Sequence, residues 1–213
     1  MKRVVCFGDS NTWGYIANEG GRYPKNIRWT GVLQELLGDE YEIIEEGQNG
    51  RTIASADPWE WGTKCGLDYC LPMLESHMPL DLLIIMLGSN DMKQKFNLPA
   101  PDIAGSLQNM LLKIKSHLEY HLNSSDTRIL IISPPLIGEK IHTSPFFEFV
   151  NGDTILKTSK DLAKWYKLVA DEFGCDFLDG SIVSGCDGDS LHLDEKGHRV
   201  LAEAIYQKVK NII

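Results

Sequence analysis

The sequence predicts an α/β fold built on a five-stranded parallel sheet. Short apolar runs alternate along the chain with longer segments in which apolar residues recur every three or four positions. This alternation is typical of a series of β-α-β units. The predicted strands are residues 4–7, 41–44, 82–87, 129–132 and 175–178.

Apolar stripes at helical spacing predict the helices between these strands. Three long stripes cover residues 103–118, 162–173 and 200–212, and each is expected to face the sheet. A shorter helix is predicted over residues 29–37, because Gly38 follows it as a typical helix end. Residues 65–77 are also predicted to be helical, with Pro72 near the start or at a kink.

Length and composition predict one globular domain that spans residues 1–213, with 43% hydrophobic residues. The net charge of −9 repels phosphate backbones and anionic lipids, so neither nucleic acid nor a membrane is an expected partner. The longest strongly apolar run, residues 82–87, is far shorter than the roughly 20 residues that span a bilayer. A cytoplasmic location is predicted, since the chain starts without an apolar leader and its five cysteines, an odd number, are interpreted as reduced thiols. They include no CxxC pair of the kind that begins a zinc site.

Three polar motifs follow predicted strands. Residues 8–10 read Gly-Asp-Ser, residues 88–91 read Gly-Ser-Asn-Asp, and residues 189–192 read Asp-Ser-Leu-His. The carboxyl ends of parallel strands meet at one edge of a sheet, beside the point where the strand order reverses. The three motifs are therefore expected to line one crevice.

Ser10 is the candidate nucleophile, because a serine at a sharp strand-to-helix turn can be held out toward a ligand. By itself, the same serine could simply cap the following helix. A nucleophilic serine needs a base, and the base needs a partner that fixes its tautomer. Among the six histidines, only His192 follows a predicted strand with an acid at a suitable spacing, Asp189. That spacing lets the carboxylate reach Nδ1 while Nε2 faces the serine.

Three hydrogen-bond donors are candidates for stabilising a developing oxyanion. They are the backbone N–H groups of Ser10 and Gly50 and the side-chain NH₂ of Asn90. Taken singly, Gly50 also fits an ordinary turn and Asn90 an ordinary loop. Asp9 and Asp91 are expected to fix loops through hydrogen bonds, since an acid beside the nucleophile would oppose a nearby anion.

The blocks around Ser10, Gly50, Asn90 and the pair Asp189 and His192 together resemble those of the SGNH, or GDSL, hydrolases over about residues 4 to 210. Further stretches are similar to the bacterial arylesterase and acyltransferase subgroup, namely residues 8–14, 28–33, 44–47 and 80–88. The resemblance implies a flavodoxin-like three-layer α/β/α sandwich. It also implies that Ser10 is the nucleophile, His192 the base and Asp189 its orienting acid, with Ser10, Gly50 and Asn90 as the oxyanion hole.

The resemblance implies a serine esterase, without cofactor or metal, that hydrolyses small carboxylic esters with short acyl chains through an acyl-enzyme. Removal of acetyl groups from sugars or other metabolites would use the same residues and stays open. Some members of the subgroup have alanine in place of Gly50, so hydrolysis is predicted ahead of acyl transfer to alcohols. A non-enzymatic flavodoxin-like binding or receiver module is disfavoured. Such a module has no use for Asp189 and His192, and no GxxxxGK[ST] motif is present.

Aromatic side chains are candidates for the substrate pocket. Trp13 follows the nucleophile, and Trp59 and Trp61 follow Gly50, although ordinary packing would also explain them. Phe146, Phe147 and Phe149 lie in the loop after the fourth strand and suggest a pocket rim or a subunit contact. The resemblance implies a homo-oligomer in which neighbouring chains narrow the entrance, which would favour short acyl groups.

Overall fold

The computed structural model describes residues 1–150, 152–183 and 186–213. Five strands form one sheet in the order β2-β1-β3-β4-β5, and every neighbouring pair is parallel. The strands are β1 (Lys2–Gly8), β2 (Tyr41–Gly47), β3 (Leu82–Met86), β4 (Arg128–Ile132) and β5 (Asp176–Leu178). The predicted five-stranded parallel α/β fold is confirmed.

Helices cover both faces of the sheet and give three layers. In the described residues they are α1 (Ser10–Trp13), α2 (Trp29–Leu37), α3 (Gly66–His77), α4 (Ala100–Tyr120), α5 (Gly152–Glu172) and α6 (Glu195–Ile212). One hydrophobic cluster joins α3, α4 and α5 to one face of the sheet, and a second joins α2 and α6 to the other. None of these helices, within the ranges described, is long and apolar enough to cross a membrane.

The central strands are buried on both faces, which is why they appear in the sequence as continuous apolar runs. In β1, Val5 and Phe7 belong to the first cluster, whereas Val4 and Cys6 belong to the second. Successive side chains of a strand point to opposite faces, so each face receives alternate residues. Both helical layers are therefore anchored to the strand that leads to the candidate nucleophile.

One helix start differs from the sequence-based expectation. Helix α6 begins at Glu195, ahead of its apolar stripe, because the Asp194 carboxylate caps it by accepting the Gly197 N–H at 2.6 Å. Pro72, predicted either to kink α3 or to lie near its start, is the seventh residue of α3 and so lies in its interior. Burial of Cys70 and Leu74 against the sheet holds α3 together despite the donor that proline lacks.

Strand order reverses at β1. The chain passes from β1 to β2 on one side and then crosses to β3 on the other side. In a sheet of this kind, the crevice for a ligand lies beyond the carboxyl ends of the two strands that flank the reversal, here β1 and β3. The Gly-Asp-Ser and Gly-Ser-Asn-Asp motifs follow these two strands directly.

Candidate active site

Ser10 is the first residue of α1 and lies directly beyond β1. The preceding Asp9 caps this helix, since its carboxylate accepts the Asn11 N–H at 3.0 Å. A side chain on Gly8 would come within 2.0 Å of Thr12 Oγ1, so only glycine lets α1 fold back over the end of the strand. The first N–H groups of a helix have no partner within the helix, which leaves the Ser10 N–H free to bind an anion.

Ser10, His192 and Asp189 are hydrogen-bonded in series. The distance from Ser10 Oγ to His192 Nε2 is 2.9 Å, and that from His192 Nδ1 to Asp189 Oδ2 is 2.7 Å. All three residues are buried, with Asp189 fully so. The structure thus brings together the serine, the histidine and the acid that the sequence pattern selected, although 182 positions separate the first two.

The Asp189 carboxylate is held in its charged form. Burial by itself raises the pKa of Asp189, but the hydrogen bond and the charge of His192 outweigh burial and leave this pKa below its usual value. The backbone N–H groups of Leu191 and His192 add two further bonds to Asp189 Oδ1, at 2.9 and 2.8 Å. A charged acid in this position favours the protonated state of the imidazole whenever His192 accepts a proton.

Asn11 connects the serine helix to the histidine turn, a role that was not predicted from the sequence. Its side chain donates to the Leu191 carbonyl at 3.1 Å and accepts the Leu193 N–H at 2.9 Å. These bonds hold the residues on both sides of His192. A sequence signal was present, because Asn11 directly follows Ser10, but nothing local indicated a partner 180 residues away.

Ser144 supports the same turn from the opposite side, and this role was not predicted either. Its hydroxyl donates to the Asp189 carbonyl at 2.5 Å and accepts the Phe146 N–H at 3.1 Å. The Gly138 N–H also donates to the Ser190 carbonyl at 2.8 Å. The loop after β4 is therefore joined to the turn that carries the acid and the histidine.

Gly50 and Asn90 lie in the wall of the same crevice. Gly50 has a φ of 79°, in the left-handed region that favours glycine. Asn90 begins a short 3₁₀ helix after β3, and its side-chain nitrogen donates to the Arg51 carbonyl at 3.1 Å. An amide nitrogen carries two hydrogens, so this bond orients Asn90 and leaves the second N–H for a ligand.

The two remaining acids of the motifs fix loops, as expected from the sequence. Asp91 is fully buried, and its carboxylate accepts the Ile53 N–H at 3.0 Å. Burial raises the pKa of Asp91 to about 7, and the nearby charge of Asp9 acts in the same direction. Asp91 thereby connects the loop after β2, which contains Gly50, to the loop after β3, which contains Asn90.

A cavity of about 590 Å³ opens over Ser10 and His192. Of the aromatic residues predicted for the pocket, Trp59 and Phe146 line it. Phe149, from the same aromatic loop as Phe146, lines it too, as does Tyr15, which was not predicted and whose ring lies 4.4 Å from the His192 ring.

Trp13, Trp61 and Phe147, also predicted for the pocket, are not among the described residues that line this cavity. The Trp13 ring contacts the Arg22 guanidinium, 5.3 Å from the ring centroid. Trp61 is 96% exposed, and Phe147 packs against the core and the His142 ring.

One wall of the cavity consists of paired charges. Lys93 Nζ lies 2.9 Å from Glu60 and 3.1 Å from Asp57, and Lys95 also pairs with Asp57. A Cβ atom on Gly50 would come within 3.0 Å of the Glu60 carboxylate. The ion pair of Glu60 and Lys93 therefore fills the space beside Gly50.

A serine, a histidine and an aspartate in this arrangement, at the reversal point of a doubly wound sheet, are typical of the class of serine hydrolases. The family follows from comparison with known proteins. The model of the GDSL-like lipase/acylhydrolase family matches residues 6–200. The chain belongs to this family, as its four sequence blocks indicated, and is an ester-hydrolysing enzyme.

Solved structures similar to this chain include two esterases of stated type. The native aryl esterase of M. smegmatis is 33% identical, with a TM-score of 0.90 and 100% of both chains covered. A carbohydrate acetylesterase from Sinorhizobium meliloti is 34% identical, again with a TM-score of 0.90 and 100% of both chains covered. The lipase/acylhydrolase from Enterococcus faecalis shares the fold at 20% identity and a TM-score of 0.65, with 99% of this chain and 96% of that chain covered. Comparison with curated protein sequences gives no match.

Proposed function

We propose that the chain hydrolyses carboxylic esters with short acyl groups through a covalent acyl-enzyme, with Ser10 as nucleophile, His192 as base and Asp189 as the orienting acid. The observation that carries this proposal is the hydrogen bond of 2.9 Å between Ser10 Oγ and His192 Nε2. The bond places a proton acceptor directly on the hydroxyl that would attack the ester.

In the first half of the reaction, Ser10 Oγ attacks the ester carbonyl carbon while His192 Nε2 takes the hydroxyl proton. The carbonyl oxygen becomes an anion, and the Ser10 N–H, the Gly50 N–H and the Asn90 amide donate hydrogen bonds to it. Such fixed donors usually supply the largest part of the rate enhancement. His192 then returns the proton to the leaving alcohol as the acyl–Ser10 ester forms.

The second half of the reaction repeats these steps with water in place of the hydroxyl. His192 takes a proton from water, the resulting hydroxide attacks the acyl carbon, and the same donors hold the oxyanion. Collapse of this intermediate breaks the bond to Ser10, which regains its proton from His192 and releases the carboxylic acid. An alcohol in place of water would give acyl transfer. The mechanism requires no metal or cofactor.

The charged wall supports a preference for short acyl groups. Beside Gly50, the space next to the reacting carbonyl is taken by the Glu60 and Lys93 ion pair. A long alkyl chain placed there would displace the water that hydrates this ion pair. This is unfavourable, because an alkyl chain cannot hydrogen-bond to the two charged groups in place of water. An acetyl or propionyl group avoids that contact.

Deacetylation of sugars is a second candidate, and one observation favours it. Asn49 lines the cavity beside Gly50, and its Oδ1 is buried without a hydrogen-bond partner among the described residues. An unpaired buried carbonyl oxygen gains from a ligand that donates to it, and sugar hydroxyls are such donors. The similarity to the carbohydrate acetylesterase from Sinorhizobium meliloti also supports this candidate.

A panel of p-nitrophenyl esters of increasing chain length, assayed in water and with added alcohol, tests the proposal. We expect kcat/KM to be highest for the shortest acyl groups and to be unaffected by EDTA. The Ser10→Ala variant should show no hydrolysis. Ester products would report acyl transfer, and acetate release from acetylated sugars would test the second candidate. A wild-type protein that hydrolyses none of these esters, or that needs a divalent ion, contradicts the proposal.

We also propose that residues 1–213 act as a single domain, in the cytoplasm, as a homo-oligomer. One sheet with a hydrophobic cluster on each face supports the single domain. Five free cysteines suit a reducing compartment.

Trp59 and Phe149 line the cavity yet are 76% and 61% exposed, and apolar surface of this kind is often covered by another subunit. Analytical ultracentrifugation measures the oligomeric state.

A further inference from the structure

Lys64 contacts the same peptide group that presents the Gly50 N–H. Its ammonium donates to the Asn49 backbone carbonyl at 2.8 Å. In a trans peptide, the carbonyl and the following N–H point in opposite directions. Gly50 lines the cavity, whereas Lys64 is not among the described residues that do. Lys64 therefore contacts the side of this peptide that faces away from the cavity, and the Gly50 N–H lies on the side that faces the cavity.

The Asn49–Gly50 peptide is the central peptide of a tight turn. The Arg51 N–H donates to the Gln48 carbonyl at 3.1 Å, and the φ of 79° at Gly50 matches the third position of a type II turn. Types I and II differ mainly in the two dihedral angles that flank this central peptide. Rotation of this peptide alone would therefore convert one turn into the other and reverse the direction of the Gly50 N–H.

The Lys64 ammonium is well placed to prevent that rotation. Its side chain is only 10% exposed, and the Lys64 carbonyl accepts the Thr52 N–H at 3.0 Å, which fixes the main chain nearby. A charged donor makes a stronger hydrogen bond than a neutral one. A bond to the carbonyl also polarises the peptide, which strengthens its N–H as a donor.

We propose that Lys64 is a positioning residue that locks the Asn49–Gly50 peptide with its N–H toward the oxyanion of the reaction. This role rests on the proposed function, since it presumes that Gly50 is an oxyanion donor. Lys64 is not among the described residues that line the cavity, and its shorter contact is with the peptide, since its Nζ lies 4.0 Å from Glu60 Oε2 and 2.8 Å from the Asn49 carbonyl. Its loss should therefore weaken stabilisation of the transition state more than binding of the ester.

The test compares Lys64→Met with wild type. Methionine keeps most of the side-chain stem and removes the ammonium. We expect kcat for p-nitrophenyl acetate to fall about tenfold, less than the roughly 10² to 10³ lost with a donor itself, and KM to stay within about twofold. The affinity for phenylboronic acid, which forms a tetrahedral adduct with a serine, should fall by a factor similar to that of kcat. Lys64→Arg should recover most of the loss.

The control is Lys115→Met, because Lys115 Nζ makes the same kind of bond far from the cavity, to the Phe173 carbonyl at 2.8 Å. We expect this variant to keep wild-type kcat. Titration of the reactive serine with a fluorophosphonate counts the active sites in each preparation. Each kcat is then calculated per folded enzyme molecule. If Lys64→Met does not fold, Lys64→Gln takes its place with the same expected direction.

A kcat of Lys64→Met within twofold of wild type, or a loss that appears equally in Lys115→Met, overturns the role of Lys64. Either result would leave the proposed esterase intact as long as Ser10→Ala is inactive. If Ser10→Ala retains turnover, the proposed function itself fails, and the role of Lys64 fails with it. The two failures are thus distinguished by the Ser10 variant.

Discussion

Asp189 bonds to His192 twice through its two carboxylate oxygens. Oδ2 lies 2.7 Å from the ring Nδ1, and Oδ1 accepts the His192 backbone N–H at 2.8 Å. One carboxylate therefore fixes both the main chain and the ring of the histidine, so the direction in which Nε2 points is set by a rigid unit. During proton transfer to Nε2, the ring must keep its position while its charge changes. The two bonds to Asp189 hold the ring in that position.

Asp189→Asn should lower kcat by about 10³ to 10⁴, because a neutral amide neither stabilises the imidazolium nor fixes the correct tautomer. We expect KM to change far less, since Asp189 is fully buried and is not among the described residues that line the cavity. Steady-state kinetics on titrated enzyme measure both values. A kcat within tenfold of wild type would remove Asp189 from the proposed triad.

Ser10→Ala should abolish ester hydrolysis while the protein stays folded, because it deletes the nucleophilic oxygen and leaves the core unchanged. A p-nitrophenyl acetate assay and a thermal melt check the two expectations. Ser106→Ala is a matched control. The Ser106 hydroxyl donates to the Asp102 carbonyl on the surface of α4, far from the cavity. Turnover of Ser10→Ala above a few per cent of the wild-type rate would contradict the assignment.

Asn90→Ala should lower kcat by roughly 10² to 10³, the usual loss for one oxyanion donor, and should change KM much less. It also removes the bond to the Arg51 carbonyl, so the free energy of unfolding should fall by about 1 kcal/mol. Kinetics and a melt on one preparation separate the two effects. Near-normal kcat with a lowered Tm would mean that Asn90 only fixes a loop.

Asn11→Ala should reduce both stability and activity. It removes a partly buried hydrogen bond to Leu191 and a buried one to Leu193, for a loss of roughly 1 to 3 kcal/mol in the free energy of unfolding. Because those residues flank His192, we expect kcat to fall as well. Urea unfolding and kinetics measure the two losses. Asn211→Ala, which removes an exposed bond to the Gln207 carbonyl, is the control and should change neither value appreciably.

The raised pKa of Asp91 predicts a pH-dependent stability. In the folded state this pKa is about 7, whereas the usual value is 3.8. Between these values Asp91 keeps a proton in the folded protein that it releases in the unfolded chain, so the contribution of Asp91 to stability falls as the pH rises from about 4 to 7. Above pH 7 the loss is complete. A tenfold change in the acid dissociation constant corresponds to about 1.4 kcal/mol, or roughly 3 to 6 °C of Tm in a protein of this size.

Asp91→Asn isolates this effect, since an amide oxygen can still accept the Ile53 N–H but cannot titrate. We expect the Tm of the variant, relative to wild type, to be higher at pH 8 than at pH 5. His198, whose pKa burial lowers to about 4, titrates in both proteins and cancels in the difference. A Tm difference that is the same at both pH values would show that Asp91 does not titrate in this range.

The fold could be predicted because its signals are local. Strands β1, β3 and β4 are buried on both faces and therefore appear as apolar runs, and α2 ends at Leu37, directly before Gly38, as expected. The start of α6 was harder to place, because its first turn carries no apolar stripe. It depends on the cap by Asp194, a side-chain contact that periodicity does not report.

The sequence by itself determined the parallel sheet and the residues gathered at its carboxyl edge, Ser10, Gly50, Asn90, Asp189 and His192. The reason is physical. Strand direction follows from the alternation of elements, and parallel strands bring their following loops to one edge whatever the loops contain.

Only the tertiary structure decided which loop residues reach the cavity and which side chains hold the site together. Trp59 and Trp61 are two positions apart, yet only Trp59 lines the cavity. Asn11, Ser144 and Lys64 act through backbone groups in other segments, up to 182 positions away in the case of Asn11. Side chains in irregular loops follow no periodic rule, so their directions are set by contacts that exist only after the chain has folded.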